Sequence, residues 1–93
     1  MTLSVAPRVS ISDAALTQLV VRAVEQVEGA RVRKPRRDVE LADGRLELSL
    51  AAAYGVVLPD LARDVQARVA DAVERMCGIR LAGVDVTIEE LDR

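Results

Sequence analysis

Apolar residues recur along this chain at two different spacings, and the spacing separates helices from strands. From Ser12 onward they return every three or four positions, the period of an α-helix with one buried face. These positions are Leu16, Leu19, Val20, Ala23, Val24 and Val27. Ser12 is a favourable N-cap and Gly29 a favourable stop. The pattern predicts a first helix over residues 13–28.

The middle of the chain alternates between apolar and polar residues, which is the period of a half-buried strand. The apolar positions are Val39, Leu41, Leu46, Leu48 and Leu50. Asp43-Gly44 separates the two runs, and this dipeptide is typical of a two-residue β-hairpin loop. Such a loop places every aliphatic side chain on one side of the hairpin and sets Glu40 opposite Glu47 on the other side.

A second helix and a final strand follow the hairpin. Pro59 is favourable near a helix start, and Gly78 is favourable just after a helix end. The apolar stripe of this helix consists of Leu58, Leu61, Ala62, Val65, Val69, Ala72, Val73, Met76 and Cys77. The last apolar residues alternate with polar ones and predict a strand containing Val84, Val86 and Ile88.

These elements, in the order α-β-β-α-β, predict an α+β fold in a single domain over residues 1–93. Each strand has one aliphatic and one polar side, so we expect a three-stranded mixed sheet with both helices packed on one face. Residues 1–11 fit two interpretations, because the alternation over residues 8–11 suits either a short extra strand or an irregular lead-in. Residues 1–7 fit a disordered segment.

Composition places the chain among globular proteins. Of its 93 residues, 51% are hydrophobic and 30% are charged. One cysteine cannot form an internal disulfide, and the longest uncharged stretch, Leu48 to Pro59, has 12 residues against roughly 18 needed to span a bilayer. The first residues lack the basic start and apolar run of a secretory signal. We therefore expect a cytoplasmic protein without a membrane span.

The residue types that usually carry catalysis are scarce. The sequence has no histidine, the commonest general base and metal ligand. Cys77 lies on the apolar stripe of the second helix, which indicates a core residue rather than a nucleophile. Glu40 and Glu47 are paired carboxylates, but a hairpin surface gives them no cleft of the kind that general acid–base chemistry needs. The sequence thus predicts a non-enzyme with no catalytic residue, cofactor or metal ligand.

One short segment, here called the basic segment 31–37, carries 5 of the chain's 13 basic residues: Arg31, Arg33, Lys34, Arg36 and Arg37. Pro35 in its middle predicts a strand edge or a loop. Three interpretations stay open: a solvated loop that keeps a sheet edge from aggregating, a site for an acidic protein or a second copy, and a site for nucleic acid or anionic membrane. The net charge of −2 and the single aromatic residue, Tyr54, disfavour the last.

The polar side of the predicted sheet is the second candidate surface. Between its acidic groups it carries small residues: Ala42, Ser49, Ala51 and Ala53. An acidic face and a basic segment on one molecule are complementary, and head-to-tail contacts of this kind join copies into rings or filaments. We therefore expect a homo-oligomer, with the basic segment, Glu40 and Glu47 as candidate interaction residues.

Aliphatic and glycine positions at fixed intervals form a pattern over most of the chain. They are Val9-Ser10-Ile11-Ser12, Val27-Glu28-Gly29, Tyr54-Gly55, Val65-Gln66, Val69, Val73-Glu74, Met76, Gly78 and Val84-Asp85-Val86. This pattern resembles that of the alkaline shock protein family of envelope stress proteins, over roughly residues 8–91. It specifies a fold better than an activity.

The resemblance implies a bacterial, cytoplasmic, non-enzymatic protein of cell-envelope stress and homeostasis that self-associates. Some members of that family are held at the membrane by a separate anchor protein. The resemblance therefore also implies a membrane-anchor partner and a place at the inner face of the cell membrane. Residues 30–38 are unusually basic for the family, which indicates a partner specific to this protein. The alternative function is binding of nucleic acid or an anionic membrane surface through the basic segment.

Overall fold

The computed structural model describes residues 12–93, so the strand, lead-in and disorder interpretations of residues 1–11 lie outside the described residues. The elements are α1 (Asp13–Glu25), β1 (Ala30–Arg31), α2 (Pro35–Asp38), β2 (Val39–Ala42), β3 (Arg45–Ala53), α3 (Leu58–Cys77) and β4 (Gly83–Asp92). The predicted α+β fold and the order of its long elements are confirmed. Two short elements, β1 and α2, are additional and lie in the segment that was predicted to be an edge or a loop.

The two long helices begin and end at residues with the expected capping chemistry. Ser12 caps α1, because its hydroxyl oxygen accepts the N–H of Ala15 at 3.1 Å. The helix ends three residues earlier than predicted, since the N–H of Val27 bonds the carbonyl of Val24 and tightens the last turn. Gly78 ends α3 in the left-handed conformation, with φ of +69°, and its N–H bonds the carbonyl of Glu74.

The predicted hairpin has the expected register. Asp43 and Gly44 both have positive φ, 53° and 75°, as a type I′ turn requires. Across the turn Leu41 faces Leu46, and Glu40 faces Glu47. The predicted two-residue loop at Asp43-Gly44 and the predicted pairing across it are therefore confirmed.

The sheet is centred on β3. Strand β4 runs parallel to β3 and pairs with it from Arg45 to Ala53, while β1 and β2 are both antiparallel to β3. A strand has only two edges, and β4 occupies one of them along its whole length. Strands β1 and β2 therefore share the other edge, where β2 lies beside residues 45–48 and β1 beside residues 51–52. The sheet is three strands wide and mixed, as predicted.

One face of the sheet packs on α1 and α3 through an aliphatic core. Its buried members are Leu16, Val20, Ala23, Val24, Val27, Val32, Leu46, Leu48, Leu50, Ala52, Leu61, Val65, Val69, Val73 and Val84. Every one is a small or branched aliphatic residue, so packing and burial of apolar area supply the main stabilising free energy. No helix within residues 12–93 is long and apolar enough to cross a membrane.

Candidate interaction surface

The basic segment 31–37 interrupts the edge of the sheet that β1 and β2 share. Arg31 ends β1, and Arg36 and Arg37 lie in α2. Pro35 occupies the first turn of α2, where its missing N–H costs nothing. The chain thus leaves the sheet after Arg31, forms one helical turn and returns as β2. The basic side chains are distributed around this detour.

The buried carboxylate of Asp38 stabilises the detour. Its carboxylate accepts the N–H of Lys34 at 2.9 Å and Nε of Arg37 at 3.0 Å, and the residue is only 5% exposed. Burial by itself raises the pKa of Asp38, but hydrogen bonds from the Lys34 N–H and from Arg37, together with the charge of Arg37, outweigh it and hold the pKa below its usual range. Sequence reasoning missed this residue. An acidic residue three positions after a helix-starting proline was the available signal.

Three arginines of the basic segment reach across the sheet to the last residues of β4. Arg31 pairs with Asp92 at 2.9 Å, Arg37 pairs with Glu89 at 3.2 Å, and Arg33 pairs with Glu90. The arginines start from one edge of the sheet and the carboxylates from the opposite strand, so the ion pairs span β3. We call these three pairs the arginine bridges.

The residues of β3 beneath the arginine bridges are small. Ala51 alternates with Leu50 and Ala52, which face the helices, so its side chain points to the opposite face. Ala51 is nevertheless only 1% exposed and is not part of the aliphatic core. A small cavity of about 130 Å³ lies here, lined by Arg33, Lys34, Arg37, Asp38, Ser49, Leu50, Ala51, Glu89 and Glu90. The face that carries no helix is thus covered in part by arginine side chains.

A β-bulge in β4 makes the bridges geometrically feasible. Leu50 faces Ile88, but Ala51 faces Glu90, so Glu89 is an extra residue in β4. With strict alternation Glu90 would point into the core; the bulge turns it toward the arginines and sets Leu91 opposite Ala52. The sequence carried a signal of this bulge, because the apolar positions 84, 86 and 88 are followed by 91 rather than 90.

The other end of the same face carries the predicted carboxylate pair. Glu40 and Glu47 lie opposite each other in the hairpin, and both are exposed. Beside them Arg45 bonds Asp85 at 2.7 Å; this contact raises the pKa of Arg45 and lowers the pKa of Asp85. Arg45 crosses Gly83 to reach its partner, since a Cβ at Gly83 would lie 2.7 Å from the guanidinium.

The structure therefore separates the predicted interaction residues into three groups. Arg31, Arg33 and Arg37 form the arginine bridges. The side-chain cations of Lys34 and Arg36 form no ion pair with a carboxylate within residues 12–93. The remaining two, Glu40 and Glu47, lie at the opposite end of the sheet and contact none of the basic segment in the ion pairs found among the described residues.

The residues considered above as a nucleophile or as metal ligands have no surroundings that suit either role among the described residues. Cys77 is partly buried and packs against the aliphatic core at the end of α3. Within residues 12–93, no three side chains of the His, Cys, Asp and Glu types gather in a way that could hold a metal ion. A groove of about 680 Å³ lies between the start of α1 and β2, and its lining mixes Leu16, Val39 and Leu41 with Asp13 and Arg36.

Comparison with known proteins supports one assignment. A family model described as the alkaline shock protein family, with a cell envelope-related function, matches residues 16–93. This range includes every helix and strand from the core-facing part of α1 to the end of β4. No curated protein and no solved structure matches the chain.

Proposed function

We propose that this chain, which belongs to the alkaline shock protein family and so has a cell envelope-related function, acts without catalysis, through self-association and contacts with other proteins. We place it in the cytoplasm and, through a membrane-anchor partner, at the inner face of the cell membrane. Its task in this proposal is cell-envelope homeostasis under stress.

One observation supports the non-catalytic part of this proposal: the buried charged group among the described residues stabilises a turn of the backbone. Asp38 is the only buried charged side chain within residues 12–93, and its hydrogen bonds go to the turn that contains it. The carboxylates that pair with the basic segment from β4, those of Glu89, Glu90 and Asp92, lie on the sheet face that carries no helix. Catalytic acids and bases usually need burial in a cleft, whereas flat faces suit docking.

Exposed apolar side chains support the interaction part. The large ones within the described residues are Leu41, Tyr54, Val57, Met76, Ile79 and Leu91. Arg93 stacks over the ring of Tyr54 at 5.3 Å, so this aromatic side chain lies against a cation on the surface rather than in the core. Such residues at several places on a small domain are the kind that protein partners cover.

Self-association is tested by light scattering over a wide range of protein concentrations, at about 50 mM and about 500 mM salt. We expect a mass that rises with concentration. A monomer at every concentration and both salt levels contradicts the proposal. The cellular part is tested by deleting the gene in its native host: we expect greater dye uptake and detergent sensitivity, restored by the wild-type gene. A deletion strain with an unchanged envelope contradicts that part.

The alternative function has one supporting observation, namely the two cations of the basic segment that have no carboxylate partner among the described residues. Lys34 and Arg36 are both exposed. Cosedimentation with anionic vesicles and filter binding with RNA, each at about 150 mM salt, test it. Arg36→Ser should weaken either kind of binding. Arg22→Ser, which makes the same charge change at an exposed position of α1, should not weaken it. Absence of binding by the wild-type chain contradicts the alternative.

A further inference from the structure

The two edges of the sheet differ in how open they are. The edge shared by β1 and β2 is interrupted by residues 32–38, which form the detour through α2. The edge of β4 is continuous over Gly83–Ile88, up to the bulge at Glu89. Within residues 12–93, β4 pairs with β3 alone. An unpaired regular edge of this length presents free N–H and C=O groups to another strand.

The register shows which backbone groups are free. Asp92 faces Ala53 and its carbonyl accepts the N–H of Tyr54, so Asp92 directs its backbone groups to β3. In a parallel pair such residues alternate with residues that point the other way. Gly83, Asp85 and Thr87, which face odd-numbered residues of β3 as Asp92 does, therefore also bond β3.

The three residues between these, Val84, Val86 and Ile88, direct their backbone groups to the free edge. A contact from α3 agrees with this assignment, because Nε2 of Gln66 donates to the carbonyl of Val84 at 2.9 Å. The free edge thus offers the N–H groups of Val84, Val86 and Ile88 and the carbonyls of Val86 and Ile88, which is the alternation that an antiparallel partner strand needs.

Space for a partner strand exists beside this edge. A groove of about 540 Å³ runs between α3 and the start of β4, lined by Arg45, Arg63, Gln66, Ala67, Ala70, Leu81, Gly83, Val84 and Asp85. The helix contributes two alanines to this groove, beside the longer side chains of Arg63 and Gln66. The groove leaves room for another chain on the helix side of the edge once the Gln66 side chain moves aside.

We propose that β4 of a second copy pairs antiparallel with β4 across a two-fold axis at Val86, which joins two three-strand layers into one sheet. This inference rests on the self-association in the proposed function and names its surface. In this register Val86 faces its own copy and Val84 faces Ile88, so aliphatic side chains meet on the helix side. The hydrogen-bonded residues are these same three, and the carbonyl of Val84 exchanges its bond from Gln66 for one from the partner strand.

Charge is compatible with this register. On the other face Asp85 of one copy meets Thr87 of the second, so no two acidic residues lie directly opposite each other within Gly83–Ile88. Asp85 is also held by Arg45 of its own chain at 2.7 Å. A like-charge pair, which usually keeps edges apart, is therefore missing from this pairing. A second copy fits this edge without any further partner.

A charge test at Thr87 examines the proposal, because this side chain is exposed in the single chain. Thr87→Glu sets a carboxylate opposite Asp85 twice per dimer and should raise the dimer dissociation constant about tenfold in sedimentation equilibrium. Thr87→Lys at the same position meets Asp85 with the opposite charge and should leave the constant unchanged or lower it. Gln18→Glu adds the same charge as Thr87→Glu, but at an exposed position of α1, and should leave the dimer dissociation constant unchanged.

A second readout reports the register directly. In a Cys77→Ala background, equimolar Asp85→Cys and Thr87→Cys chains should oxidise to a mixed disulfide faster than either chain oxidises alone, because these positions face each other. Equal constants for Thr87→Glu, Thr87→Lys and wild type, with wild type still oligomeric, overturn the β4 pairing and leave self-association standing. A wild-type chain that is monomeric throughout overturns both.

Discussion

On the helix side of the sheet, β3 contributes leucines that are at most 2% exposed and belong to the aliphatic core. On the opposite side the same strand contributes Glu47, Ser49 and Ala51, and arginines from one edge pair with carboxylates from the other across it. Both sides therefore contain a buried residue of β3, but what buries it differs. Leucines are covered by two helices, and Ala51 is covered by long, charged side chains.

The two sides therefore have different roles: the helix side supplies stability, and the opposite side fixes where particular side chains lie. Burial of aliphatic area is worth roughly 25 cal/mol for each Å² and is insensitive to direction, so the helix side supplies most of the stabilising free energy. Exposed ion pairs contribute little each, but they act only between particular atoms at particular distances. We infer that the arginine bridges mainly fix the path of the basic segment and the position of the end of β4.

The largest effect should come from the helix side. Leu48→Ala removes a side chain that is 2% exposed, and its cavity should lower the free energy of unfolding by about 2–5 kcal/mol. Leu41→Ala, in the same hairpin but 43% exposed, is the matched control and should lower it by less than about 1 kcal/mol. Urea unfolding measures both. Equal losses would mean that Leu41, at the tip of the hairpin, is buried as deeply in solution as Leu48.

Asp38 is the next largest expected effect, because it is buried at the edge between the two sides. Asp38→Ala removes the acceptor of the Lys34 N–H and leaves Arg37 with fewer partners, so the free energy of unfolding should fall by about 2–3 kcal/mol. Asp43→Asn, in the exposed hairpin turn, is a control whose left-handed conformation asparagine tolerates. A neutral result for Asp38→Ala would show that the turn does not depend on this carboxylate.

The pH dependence of stability follows from the same residue. The pKa of Asp38 is lower in the folded chain than the unfolded value of about 4. Its contribution is therefore fully present above that unfolded value and is lost as the pH falls through the folded pKa. Wild type should lose stability more steeply than Asp38→Asn between pH 5 and pH 2, measured by urea unfolding at each pH. Parallel curves would contradict this assignment.

Space beneath the arginine bridges is tested by Ala51→Leu. The larger apolar side chain would enter the small polar cavity beside Ala51 and displace the arginine and glutamate side chains that line it, which should lower the free energy of unfolding by about 1–2 kcal/mol. Ala42→Leu adds the same atoms at an exposed position on the same face, so it should be close to neutral. If both variants are neutral, the arginines move aside freely and do not bury Ala51 in solution.

The smallest effect belongs to a single bridge. Arg31→Gln breaks the pair with Asp92, whose side chains are 53% and 38% exposed, and should cost less than about 1 kcal/mol at low salt. The difference from wild type should vanish near 1 M salt, where screening acts within about 3 Å. A larger loss that persists at high salt would show that this bridge stabilises through packing rather than charge.

The sequence alone was sufficient for the elements whose signals are local. Apolar periodicity, Ser12, Gly78 and the Asp43-Gly44 loop each act within a few residues, so both long helices, the hairpin register and the α+β class were predictable. The family was recognisable for the same reason, since its pattern consists of aliphatic and glycine positions. The end of α1 was not, because a change in the hydrogen bonding of its last turn has no clear sequence signature.

Only the tertiary structure decided which charges meet. The basic segment and the β4 carboxylates are more than 50 residues apart in sequence, and their pairing requires that β1 and β2 share one edge while β4 takes the other. That arrangement results from packing β3 between two neighbours, which no local pattern specifies, whereas the bulge at Glu89 has a signal in the spacing of the apolar residues of β4. Local periodicity therefore determined the layers of this protein, and the meeting of distant strands determined the surface that we propose it uses.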